Sequence, residues 1–179
     1  MKRSLLFLLL VAAQPAFAQG AAQAGGSNPM VGSARQVYES VKEYIMRAAE
    51  QMPEEHYSFR PTPEVRTFGQ LLGHIANAQF AFCSTALKEQ NPQTENIENA
   101  RTTKAALIEA LRASFQYCDR AYTELTDAAA AEPVRLFGSE RPRLGVLILN
   151  AAHNNEHYGN IVTYMRIKGL VPPSSQPRS

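Results

Sequence analysis

The sequence predicts an all-α fold, a four-helix bundle of the up-and-down type. Three observations carry this. Apolar residues recur three and four apart over four long stretches, no stretch shows the strict alternation of a half-buried strand, and the prolines fall mainly between the stretches. A pattern of period 3.6 places one apolar stripe on each helix, and four such stripes bury one another most economically in a bundle.

The chain opens MKRSLLFLLLVAAQPAFAQG. Lys2 and Arg3 precede an apolar run from Leu5 to Ala13, and Ala16-Phe17-Ala18 places small residues where a signal peptidase cuts. Residues 1–18 are therefore expected to be a secretory signal peptide, cleaved near Ala18, and the protein to be exported, periplasmic or secreted. No cysteine follows the cut, so no lipid anchor is expected there. Residues 19–30, rich in Ala, Gly, Gln and Ser, are expected to form a disordered leader. The domain itself is expected over residues 31–173, with a tail at 174–179.

The first helical segment runs from about Pro29 to Gln51, with Val37, Val41, Tyr44, Ile45, Ala48 and Met52 as its stripe. Pro29 suits a first helical turn and Pro53 ends the segment. A loop containing Pro53, Pro61 and Pro63 follows. The second segment starts at Thr67, where Thr67-Phe-Gly-Gln70 fits a capping box, and carries Phe68, Leu71, Leu72, Ile75, Ala78, Phe82 and Ala86 to a stop at Asn91-Pro92. The third spans about Thr103 to Ala129, with Leu107, Leu111, Phe115, Cys118, Tyr122 and Leu125 on one face. After a loop with Pro133 and Gly138, the fourth follows Arg141-Pro142 and reaches Lys168, where Gly169 stops it. Its back (Leu144, Ile148, Ala151, Val162) is apolar as well. That face either packs on another helix of the bundle or forms a homodimer interface.

Charge and composition exclude several function classes. Of 18 basic residues two lie in the signal peptide, leaving 16 against 16 acidic ones, and the cations are scattered singly. A neutral chain without a basic stripe has no footprint for nucleic acid or for an anionic membrane. Two cysteines, Cys83 and Cys118, are too few for a disulfide scaffold and lack metal or redox spacing. In an oxidising compartment they form a disulfide if the second and third segments are neighbours; otherwise they are two packing thiols.

The chemistry concentrates in the histidines: His56, His74, His153 and His157. Residues four apart on a helix are offset by about 40° around the axis and about 6 Å along it, so His153 and His157 point the same way and can chelate one ion. For that pair alone, ordinary hydrogen-bonded histidines are the better reading. His74 changes the balance: it sits at the edge of the second segment's stripe, where a facing helix can bring it to the pair. Three imidazoles with an open position are a ligand set of catalytic divalent metals. His56, in a loop, is read as solvated rather than as a fourth ligand. Asn150 and Tyr164 share the face of the pair and are candidates to hydrogen-bond a bound water or a ligand histidine; the alternative is an ordinary core amide and tyrosine.

Glu156 makes His153-Asn-Asn-Glu156-His157 read as H-x-x-E-H, a peptidase motif. That chemistry needs a further acidic ligand downstream, and none of the 23 residues after Glu156 is acidic. The peptidase reading fails. Glu156 lies about 60° to 100° from the two histidines on the wheel, leaving it a surface or supporting group, or a base acting through water.

Two motifs resemble the DinB-like superfamily of metal-binding four-helix bundles. One is Phe59-Arg60-Pro61 with Thr67-Phe-Gly-Gln-Leu-Leu-Gly-His74-Ile-Ala; the other is His153-xxx-His157-Tyr-Gly-Asn160-Ile-Val-Thr-Tyr164-Met-Arg166-xx-Gly169-xx-Pro172-Pro173. The resemblance covers roughly residues 31 to 173. It implies that His74, His153 and His157 are the ligands, for zinc or nickel, often within homodimers. It also implies a spread of activities, from thiol-dependent transferases and isomerases to hydrolases, with many members of unknown reaction. An exported chain departs from the thiol-dependent branch, whose small thiols are mainly cytosolic. The expectation is thus a metal-dependent hydrolase that activates water on a small-molecule substrate. The alternatives are a thiol-dependent group transferase at the same centre and a metal-binding protein without turnover.

Overall fold

The computed structural model describes residues 28–177, so the expected signal peptide and the leader up to residue 27 lie outside the described residues. Within them the helices are α1 (Pro29–Gln51), α2 (Phe68–Leu87), α3 (Ile97–Ala100), α4 (Lys104–Glu124) and α5 (Arg143–Ile167). A hairpin, β1 (Pro133–Leu136) and β2 (Ser139–Pro142), joins α4 to α5, and single 3-10 turns occupy Glu54–His56 and Pro173–Ser175. No helix among the described residues is long and apolar enough to cross a membrane.

The four long helices make the bundle. α2 packs against α4 and α5, and α1 packs against the same two, so the ring runs α1, α4, α2, α5. Consecutive helices α1 and α2 therefore lie across the diagonal, whereas α2 and α5, which carry the three histidines of interest, are neighbours. The interior holds Ile45, Phe68, Leu72, Leu111, Phe115, Leu147 and Ile161. Tyr38 of α1 stacks on Tyr122 of α4 with ring centroids 4.1 Å apart. All six stripe positions of the third segment are buried. In α1, Val37 is not: it is 51% exposed while Tyr38 beside it is buried.

Helix ends are set by local groups. Thr67 and Gln70 form the reciprocal capping box, at 3.1 Å (Gln70 N–H to Thr67 Oγ1) and 3.0 Å (Thr67 N–H to Gln70 Oε1). α1 takes its cap from afar: the Asp127 carboxylate accepts the Met30 and Val31 backbone N–H groups at 3.0 and 2.9 Å, an anion placed at the positive end of the helix. α2 stops at Leu87, short of Asn91-Pro92, because Lys88 turns into the left-handed region (φ 63°). α4 stops at Glu124, with Leu125 extended, rather than at Ala129. Gly169, at φ 75°, follows the end of α5.

α1 has the ends that the helical pattern predicts, Pro29 and Gln51, and so takes in the last two residues of the 19–30 stretch. Two further differences from the sequence reading are found. Residues 133–142 pair as an antiparallel hairpin around Phe137 and Gly138, both at positive φ (49° and 82°). A two-residue loop needs that handedness to match the strand twist; its usual mark is Asn-Gly, and Phe-Gly hides it. Residues after Pro173 pack rather than trail: the Tyr158 hydroxyl bonds Ser174 Oγ at 2.9 Å, and Gln176 reaches Arg47 and Gln51. On the back of α5, Ala151 is buried and Leu144 and Val162 pack partly against the core, leaving Ile148 at 52% exposure.

Candidate metal centre

His74 leaves α2 two turns after its capping box, and His153 and His157 leave successive turns of α5. Packing of α2 on α5 makes their rings meet. His153 Nε2 lies 3.1 Å from His74 Nε2 and 3.0 Å from His157 Nε2, and one ligand atom from each ring falls within 4.8 Å of the others. Metal–nitrogen bonds of ~2.0–2.1 Å put two imidazole nitrogens ~2.9 Å apart at a right angle and ~3.3 Å apart at a tetrahedral one. The two observed separations lie between these limits.

The protonation of the rings favours a cation. Burial lowers the His153 pKa to about 4, helped by the neighbouring imidazoles, and burial lowers that of His157 to about 4, helped by His74 and Arg66. Burial, then Arg66, lowers that of His74 too. At neutral pH all three are uncharged, as ligands must be. A ring nitrogen carries either one proton or one lone pair. His153 Nε2 therefore cannot donate to His74 and also accept from His157, and its own Nδ1 is buried without a partner among the described residues. One cation shared by three lone pairs satisfies both Nε2–Nε2 contacts at once. The donor set thus fits a divalent metal.

Around this centre the structure adds Glu98 and Phe137, which the sequence reading did not single out. It also gives partners to Phe82 and Asn160, which that reading had placed in the second segment's stripe and in the C-terminal motif. Glu98, on α3, lies with Oε2 3.3 Å from His74 Nδ1 and accepts from Arg66 Nε at 2.9 Å. Phe82 flanks His153 at 5.6 Å between centroids, and the hairpin tip Phe137 meets Phe82 edge-on at 5.7 Å. Asn160 Nδ2 lies 3.4 Å from His157 Nδ1; exchanging the nitrogen and oxygen of that amide lets Oδ1 accept Nδ1–H and leaves Nε2 a lone pair.

Asn150 and Tyr164 are held elsewhere. Asn150 is buried in a core network, its amide donating to Gln79 Oε1 while the Tyr122 hydroxyl reaches its Oδ1 at 3.0 Å and the Leu147 carbonyl at 2.6 Å. The wheel gave its face correctly; Gln79 of α2 takes the side chain instead of an imidazole. Tyr164 donates to the Arg66 carbonyl at 2.8 Å and packs edge-on against Phe59, steadying the loop before α2. His56 sits in the 3-10 turn after α1, outside the triad. Cys83 and Cys118 form a disulfide between α2 and α4, with Cα atoms 5.2 Å apart.

Beside His157 a cleft of about 570 Å³ opens, lined among others by Arg60, Arg66, Gln70, Glu98, Glu156 and Tyr164. It is mainly polar and large enough for a small molecule. Glu156 is exposed on its wall, close enough to His74 and His153 for its charge to favour their protonation.

A family model of the DinB superfamily matches residues 38–161. Among solved structures the fold is similar to a DinB-like protein from Bacillus cereus (TM-score 0.69, 22% identity, covering 79% of this chain and 95% of that one). It is also similar to the DinB-like protein YjoA from Bacillus subtilis (TM-score 0.65, 21% identity, 85% and 100%). A conserved protein from Enterococcus faecalis follows (TM-score 0.63, 15% identity, 76% and 95%). No curated protein matches the sequence.

Proposed function

The chain belongs to the DinB superfamily, and we propose that it is an exported metal-dependent hydrolase in which His74, His153 and His157 hold one zinc or nickel ion. The observation that carries the proposal is the approach of two Nε2 atoms to within 3.0–3.1 Å of a third, in a neutral cluster where protons alone leave one contact unsatisfied. When bound, the cation supplies Lewis acidity and makes water nucleophilic near neutral pH.

The chain's own residues do the rest. α2 and α5 fix the three rings on rigid elements, and Phe82 dries the His153 side of the centre. The cleft admits substrate past His157, with Arg60 on its wall to orient an anionic group. Glu156, on the same wall, takes the proton of the attacking water and returns it to the leaving group. Export is supported by the Cys83–Cys118 disulfide, a bond that persists in oxidising compartments.

The test is a screen of esters, lactones and amides with protein purified from the exported fraction. Hydrolysis predicts a rate that vanishes on chelation and returns with metal, and that falls in Glu156→Gln while metal stays bound. Turnover only after a thiol is added would assign group transfer instead; tight metal with no turnover would assign a binding protein.

A further inference from the structure

We infer that Glu98 is a positioning residue for His74, and that the short helix carrying it is docked on α2 for that purpose; this rests on the metal reading above. The first observation is Gly73, immediately before His74. A Cβ at that position would lie 2.6 Å from Glu98 Cα and 2.9 Å from Glu98 N, both backbone atoms that cannot swing aside. Glycine inside a helix is unfavourable on conformational-entropy grounds, yet here it admits the α3 backbone directly against α2.

A second, independent contact pins α3 one turn further on. Asn77 Oδ1 accepts the Ile97 N–H at 3.0 Å, and Asn77 Nδ2 donates to Asn96 Oδ1 at 2.9 Å. Ile97 is buried beneath. The residue next to Ile97 is thereby delivered to the back of the His74 ring, with Oε2 3.3 Å from Nδ1, while Arg66 Nε holds Oε1 at 2.9 Å.

The chemical consequence follows from the donor inventory. An ionised carboxylate only accepts, so the proton of a neutral His74 goes to Nδ1, and Nε2 presents its lone pair toward His153. Arg66 Nε holds the other carboxylate oxygen, Oε1, so Oε2 is the one left facing the ring. A plain surface ion pair between Arg66 and Glu98 would need neither Gly73 nor Asn77.

Side-chain ¹⁵N NMR of the histidines in metal-free protein, with Zn²⁺ affinity by chelator competition, tests this on wild type, Glu98→Ala, Glu98→Gln and Gly73→Ala. Wild-type His74 is expected as the Nδ1–H tautomer. Glu98→Ala should shift it toward Nε2–H and weaken Zn²⁺ by about 10–100-fold, with Glu98→Gln between the two. Gly73→Ala should move the tautomer the same way with the carboxylate intact. An unchanged His74 tautomer in Glu98→Ala, with Zn²⁺ affinity within about twofold of wild type, overturns the inference. Failure of wild type to take up Zn²⁺ would sink the metal reading instead, and the tautomer comparison would still decide the role of Glu98.

Discussion

Acidification of the metal-free protein should destabilise it well above the pH at which carboxylates protonate. The pKa values of His153 and His157 fall from 6.5 to about 4 on folding, chiefly through burial. A lowered folded value means that the unfolded chain binds protons first as the pH drops. Stability from these groups is therefore complete above about pH 6.5 and is lost progressively as the pH falls toward 4. A fall of that size corresponds to about 3 kcal/mol per ring. The pair gives less than twice that, because each ring's proton is resisted partly by the other rings, and water reaching the cleft reduces it further. Against a total of roughly 5–15 kcal/mol the loss is large. Urea unfolding in the presence of chelator, at several values between pH 7.5 and 4.5, measures it. Where both rings titrate, the slope approaches at most about 2.7 kcal/mol per pH unit. A His153→Asn/His157→Asn variant separates this from carboxylate titration, since it should lose most of the slope between pH 6.5 and 5 and keep only the share of His74, whose pKa burial also lowers. Equal slopes in wild type and variant would refute the burial argument.

Other perturbations have definite expected outcomes. Replacing Cys83 and Cys118 by Ala opens a cross-link spanning 35 residues, worth up to about 4 kcal/mol by chain entropy; calorimetry should show Tm lower by roughly 8–16 °C, and an unchanged Tm would deny the bond a stabilising role. Asp127→Ala removes the acceptor of two N–H groups at the start of α1. It should cost about 1 kcal/mol in urea unfolding, and a loss below about 0.3 kcal/mol would mean that water replaces the cap.

Much of this architecture is legible in the sequence because long helices write their burial as a period. Leu107, Leu111, Phe115 and Tyr122 read as one face and form one. The capping box at Thr67 and the stop at Gly169 are local chemistry and equally readable. The meeting of His74 with the α5 pair is a tertiary fact, reached from the ligand type, the helix spacing and the resemblance together. What escaped lies where local signals are short or misleading. Four residues of α3 carry no period, so Glu98 looked like any polar loop residue. Gly73, a glycine amid an apolar helix, is the trace that α3 leaves in α2, since such a residue often marks close backbone approach. The hairpin hid behind its Phe-Gly turn and its flanking prolines. Asn150 shows the limit of a helical wheel: it fixes direction, while the partner depends on what the next helix offers, here Gln79.

The most direct test is Zn²⁺ and Ni²⁺ titration of metal-free protein, with elemental analysis of the loaded form. The account predicts a single ion per chain, bound far more weakly when any one of His74, His153 or His157 is changed to Ala and bound normally in His56→Ala. Uptake of no ion, or wild-type affinity in His74→Ala, would contradict it.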